Sequence, residues 1–350
     1  MSSARTASGG FCDQSELLTK VIQKPVCSRA HLMGAKNPSR PRGKTTGTTQ
    51  VIPAPTTAAL TIDGLLKQSI RDLGSHISIK SKVVASHCSL MVEGLEQPAA
   101  IEAFATYALI AGIGQGIRIN LAIATELLGG GPPFDAELQR DVERLIGSSN
   151  SILDDFREDQ RDPWFTECLG HALLCLSRVI PALGPQSGRV EAITPVHLDV
   201  RDHGLDLVGL HIEQALLGLS IAEAKASENR ATQHGGATAT LFSEVDSGRR
   251  DAEIRGKVQI LREGLSTKQR RLITPSFWHE KRVYFAVISY GAASTFTPNR
   301  ARPAYNSLAV DASRVRLLAI ALENYRQFFD TVADRVRALV PIVVGLGGTP

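Results

Sequence analysis

Apolar and polar positions alternate over residues 77–84, which predicts a half-buried strand. Residues 99–128 are largely apolar, interrupted by Gly112, Gly114 and Gly116, and the run Gly129-Gly-Gly-Pro-Pro133 ends them. Phe134–Ile146 then reads as a charged amphipathic helix. Over Trp164–Val179 a 3.6-residue period puts Phe165, Leu169, Ala172, Leu173 and Leu176 on one face, a helix stopped by Pro181 and Gly184-Pro185. Three short strands follow at 194–200, 205–212 and 216–226, with Glu213-Gln214 placed for a hairpin between the last two. Residues 249–265 form a charged helix with Ile254, Val258 and Leu261 as its apolar stripe. Residues 282–290 are the strongest strand, and 311–339 close the chain as a long amphipathic helix. From 164 to 290 the order is helix, three strands, helix, strand.

Length and charge change this picture in one respect. The chain has 350 residues, 43% hydrophobic and 21% charged, an ordinary globular composition that accommodates two domains or one with appendages. Its net charge of +4 is unevenly placed: residues 1–55 hold eight Lys/Arg against Asp13 and Glu16, which leaves −2 for the other 295. The expected organisation is a disordered basic tail over 1–58, an N-terminal α+β domain or elaboration over 59–150, and a second domain over 151–350 that ends in the C-terminal helix. A basic tail can contact nucleic-acid phosphates or remain a solvated leader. No uncharged apolar run reaches the ~18 residues of a transmembrane helix, and the start has no charged-then-apolar leader. Five cysteines are too few and too scattered for a disulfide framework, so a reducing cytoplasm is the expected location and no membrane contact is expected.

One constellation carries chemistry. Asp206 opens the second strand of the trio, and Glu223-Ala224-Lys225 ends the third. In an antiparallel hairpin these positions face each other, and residues two apart share a strand face, so Asp206, Glu223 and Lys225 converge. Carboxylate oxygens suit a hard cation such as Mg2+ or Mn2+, and a neighbouring ammonium can orient the attacking water. Glu223-x-Lys225 is the one acid-x-Lys triplet in the chain, while composition alone supplies roughly one, so its weight comes from position. The helix ahead carries Glu167. The plainer readings are a structural ion pair at a strand end for Glu223–Lys225 and an exposed helix face for Glu167.

Helix, three strands, helix and strand with Glu167, Asp206 and Glu223-Ala-Lys225 resemble the PD-(D/E)xK phosphodiesterase superfamily, which includes restriction endonucleases, junction resolvases and nuclease effectors of antiphage defence. The resemblance spans about 164–290, through Gly-Leu-Asp-Leu-Val-Gly at 204–209 and Ser-Ile-Ala-Glu-Ala-Lys-Ala-Ser at 220–227. The proline that names the motif is absent; Gly204-Leu205 precedes Asp206. The resemblance implies a mixed α/β protein with a restriction-endonuclease-like αβββαβ core in the C-terminal half. It implies Asp206, Glu223 and the backbone carbonyl of Ala224 as metal ligands, Lys225 as the water-orienting group, and Glu167 as an added carboxylate. On the next helix it implies substrate contacts from Lys257 and Gln259, which the residues alone read equally as a solvated face. The stretch 162–174 is loosely similar to Hachiman-type antiphage nucleases, which work beside a helicase.

The function implied is metal-dependent hydrolysis of nucleic acid, DNA before RNA, as a defence effector with a helicase or other partner subunit. The alternative is a non-catalytic interaction or nucleic-acid-binding protein on the same fold, which a slightly acidic body favours. Other motifs are weaker. Gly112-Ile-Gly-Gln-Gly116 lacks the spacing and preceding strand of a dinucleotide fingerprint. The segment from His197 to His203, which could hold Zn2+, reads better as a polar edge or turn before Asp206, and Cys168, His171 and Cys175 as helix packing. Two tryptophans and five tyrosines are too scattered for a base-stacking platform.

Overall fold

A computed structural model describes residues 61–119, 121, 133–185, 188–198, 204–274 and 277–346. The expected tail over 1–58 and the Gly-rich stop at 129–132 lie outside the described residues. The scaffold is a seven-stranded mixed sheet of order β1-β2-β7-β6-β5-β4-β3. Its strands are β1 (Ser78–Val84), β2 (His87–Glu93), β3 (Arg189–Ile193), β4 (Leu207–Glu213), β5 (Leu216–Ala226), β6 (Arg282–Gly291) and β7 (Val315–Leu322). The chain is thus mixed α/β, as its pattern predicts. β3, β4 and β5 form an antiparallel meander, β5, β6, β7 and β2 run parallel, and β1 returns antiparallel on β2.

Helices cover both faces. Ile62–His76 (α1), Pro98–Tyr107 (α2), Phe134–Ile146 (α3), Asp162–Leu176 (α4) and Tyr325–Gly345 (α7) share one core with Val283, Phe285 and Val287 of β6. Ala231–Asp246 (α5) and Asp251–Glu263 (α6) share the other core with Tyr284, Ala286 and Ile288. Burial on both faces explains why β6 is a continuous apolar run rather than an alternating one. Residues 61–147 feed β1 and β2 into this same sheet, through the β2–β7 pair.

Several expected elements hold at their boundaries. Phe134–Ile146 is the helix foreseen, with acidic Asp135 and Glu137 in its first turn and Gly147 at φ 80° after its end. β5 spans 216–226, and its hairpin to β4 turns on Gln214 and Ala215, both left-handed at φ 51° and 65°. The structure corrects others. The expected helix over 311–339 is a strand, β7, followed by α7. Apolar residues on both parities of 315–322 satisfy either period; a slot between β2 and β6, where both faces are covered, decides for strand. The expected strand at 194–200 lies earlier, at Arg189–Ile193, and residues 194–198 are irregular. β2 and α5 had no counterpart in the sequence pattern as read.

α2 continues through a π-helical stretch, Ala108–Gly114, to Ile119. By length and composition Pro98–Ile119 is apolar enough to cross a membrane, but 83% of its most apolar window is buried inside the protein. Burial also accounts for its glycines: a Cβ at Gly112 would lie 3.1 Å from Cys168 Sγ and 3.2 Å from the Trp164 ring. Gly112 thus permits close approach to α4, while Gly114 lies against Phe134 of α3 and Gly116 against Leu198.

Candidate metal centre

The site forms where β4 begins beside the far half of β5. Leu207 pairs with Ala222, which sets Asp206 opposite Glu223 one step beyond the ladder. Side-chain alternation sends Glu223 and Lys225 to the face covered by α5 and α6. Two anchors fix Asp206. Its Oδ2 accepts the Ala224 backbone N–H at 2.7 Å. The preceding Leu205 is clamped by α6, whose Glu253 Oε1 accepts the Leu205 N–H at 2.6 Å while the Lys257 ammonium donates to the Leu205 carbonyl. Because the N–H and C=O of a strand residue point the same way, the Ala224 carbonyl also faces the edge left open where β4 ends.

The other core layer supplies Glu167. Gly170 lets α4 lie close on the sheet, since a Cβ there would come within 3.1 Å of Val287 and 3.5 Å of Leu207. One turn earlier, Glu167 is buried at 7% exposure, so it does not sit on an exposed helix face. Its Oε1 accepts the His197 backbone N–H at 2.9 Å and lies 3.3 Å from His197 Nδ1. Ligating atoms of Glu167, His197 and Asp206 all fall within 4.8 Å of one another. Next to them Lys225 Nζ donates to Glu223 Oε1 at 2.6 Å, while Glu223 Oε2 is buried with no N–H or O–H donor among the described residues.

The electrostatics of this cluster are unbalanced. Three carboxyl groups stand around the Lys225 ammonium, with Lys257 at the margin, at positions where burial penalises charge. Burial is the largest influence raising the Asp206 carboxyl, reinforced by the Glu167 charge and opposed by Lys225. Glu223 is raised for the same reasons, burial first and then Asp206. Burial alone would lower the Lys225 ammonium, but Glu223 and Asp206 outweigh it and the net shift is upward. His197 is raised, chiefly by its hydrogen bond to Glu167 against the opposing effect of burial. A dication would hold these carboxyls in their ionised form, and Glu223 Oε2, with no N–H or O–H donor among the described residues, could join its ligands. The residues present therefore fit a divalent metal.

Asp206, Glu223, Lys225, Glu167 and the Ala224 backbone all meet here. Lys257 reaches the site's margin, though its ammonium is engaged by Leu205. Gln259 is exposed and sits ~200° around α6 from Lys257, so the two do not share a face. The residue that sequence reasoning assigned to a polar edge or turn is His197. It belongs to the site because the chain bends there instead of extending; Asp199, Asp202 and His203 lie outside the described residues. Cys175 and His171 meet Tyr107 in a buried network (Tyr107 Oη to His171 Nδ1 2.6 Å). No protein-family model matches this sequence, and no curated protein matches it.

Proposed function

We propose that this chain is a divalent-metal-dependent nuclease that hydrolyses phosphodiester bonds, DNA in preference to RNA. The observation that carries the reading is the convergence of Asp206, Glu223, Lys225 and Glu167 at one strand end, with a buried carboxylate oxygen that meets no N–H or O–H donor among the described residues. The αβββαβ order of α4, β3, β4, β5, the α5–α6 pair and β6 supports a restriction-endonuclease-like core. Asp206, Glu223 and the Ala224 carbonyl would hold Mg2+ or Mn2+. Bound there, the ion would lower the pKa of a coordinated water and neutralise charge on the phosphate. Lys225, tethered to Glu223 yet 32% exposed, can donate a hydrogen bond to that water or to a phosphate oxygen. The three cysteines among the described residues are free thiols, which agrees with a cytoplasmic setting.

The −2 charge of the body favours the second reading, a non-catalytic nucleic-acid or partner-binding protein. A helicase or other subunit that grips DNA would reconcile weak charge with an active site. The test is incubation with supercoiled plasmid and Mg2+ or Mn2+, beside Lys225→Ala and an EDTA control. Nicking lost in both controls supports the nuclease. Silence of the wild type, alone and with co-purified partners, would move the assignment to the binding protein.

A further inference from the structure

We infer that His197 is a ligand to the metal and that its imidazole makes the site select Mn2+ over Mg2+; this rests on the metal-centre reading above and specifies its ion. Three independent contacts hold His197 in place. The Trp164 indole N–H donates to its carbonyl at 2.9 Å, Glu167 accepts its backbone N–H, and the adjacent Leu198 packs on α2 where Gly116 has no Cβ to obstruct it. A turn that only connected β3 to β4 would need none of these. The imidazole is thereby brought to the edge of the carboxylate cluster, its Nδ1 3.3 Å from Glu167 Oε1. In the metal-free protein this contact is a hydrogen bond, and it is also near the ~3 Å edge of an octahedron with ~2.1 Å bonds, so an ion would replace the shared proton with little movement of either side chain. Two ligands of one ion stand about this far apart.

The donor set then decides the ion. Carboxylates and a backbone carbonyl alone suit Mg2+, Ca2+ or Mn2+ equally in kind. Mg2+ sheds water reluctantly and gains little from an imidazole nitrogen, whereas first-row transition ions gain from it. Of the ions that suit an oxygen-rich set, Mn2+ is the transition ion, so one imidazole favours it over Mg2+ and Ca2+. The second sign is Glu223 Oε2, which is buried beside the Asp206 carboxyl with no N–H or O–H donor among the described residues, an oxygen pair that a cation would satisfy.

The experiment is Mn2+ titration of the full chain followed by electron paramagnetic resonance, with Mg2+ as competitor, for the wild type and His197→Gln. The expected result is a weakening of Mn2+ binding by about tenfold in the variant with Mg2+ binding changed less than about threefold. Equal losses for both ions, or no loss, would overturn the role of His197 while leaving the metal centre intact. A wild type that binds neither ion sinks the metal centre itself. Should His197→Gln fail to fold, the spin-echo spectrum of Mn2+ on the wild type decides: a nitrogen-14 modulation is expected, and its absence overturns the inference.

Discussion

Lys225 donates to Glu223 across 2.6 Å, and the second oxygen of the same carboxylate meets no N–H or O–H donor among the described residues, its neighbour being the Asp206 carboxyl. A structural ion pair at a strand end would satisfy both oxygens. Here one side of Glu223 is held by the ammonium and the other faces the Asp206 carboxyl. The pair therefore costs stability in the metal-free state, which is the usual balance at a site built for function.

That cost is measurable. The Glu223 carboxyl is raised, so the folded state binds its proton more tightly than the unfolded state does. Above the unfolded carboxylate range the ionised group therefore opposes folding. Glu223→Gln is expected to abolish cleavage while leaving stability equal or raising it by about 1 kcal/mol, checked by urea unfolding at pH 7. Lys225→Ala removes the compensating charge, and cleavage is expected to fall about 10²–10³-fold.

Acid should weaken the fold through two buried histidines. Burial, with the charges of Arg314 and Lys281, lowers His211 to about 3, and burial lowers His171 to about 4. Both stay neutral in the folded state at pH values where the unfolded chain takes up protons. Their contribution is present above ~6.5 and is lost as pH falls through the window between that value and the folded pKa values, by at most about 1.4 kcal/mol per pH unit for each. Urea midpoints at pH 7 and pH 5 should differ accordingly, and His211→Asn should flatten the dependence.

The β4–β5 hairpin turns on two residues poorly suited to it. Gln214 and Ala215 both adopt positive φ, a type I′ requirement that Asn-Gly meets with less strain. Replacing the pair by Asn-Gly is expected to stabilise the protein by about 1 kcal/mol without altering metal affinity, measured by thermal unfolding with and without Mn2+.

Gly112 links the core to the site. A valine there would press on Cys168 and on Trp164, whose indole holds the His197 carbonyl. Gly112→Val is expected to cost about 2 kcal/mol by overpacking. It should also weaken Mn2+ binding, a second loss that an equally destabilising change in α6 would not produce.

Part of this protein is local and part is not. Helix 134–146, the strands at 207–213 and 216–226, helix 251–263 and the run 282–291 are readable because each carries a clear apolar period or apolar run over its length. Asp206 and Glu223-x-Lys225 were legible for the same reason: hairpin register and side-chain alternation follow from spacing along the chain. The pattern over 315–322 fits helix and strand alike, and only the parallel neighbours β2 and β6, drawn from segments nearly two hundred positions apart, made it a strand. His197 was equally out of reach. Its place beside Glu167 and Asp206 depends on Trp164 from one helix, Gly116 from another and a bend with no periodic signature. Spacing within a hairpin is decided by covalent geometry, so the chain by itself determined three-quarters of the Asp206, Glu223, Lys225 and Glu167 arrangement. The fourth side, α4 set down on the sheet and His197 folded under it, exists only because distant segments pack in three dimensions.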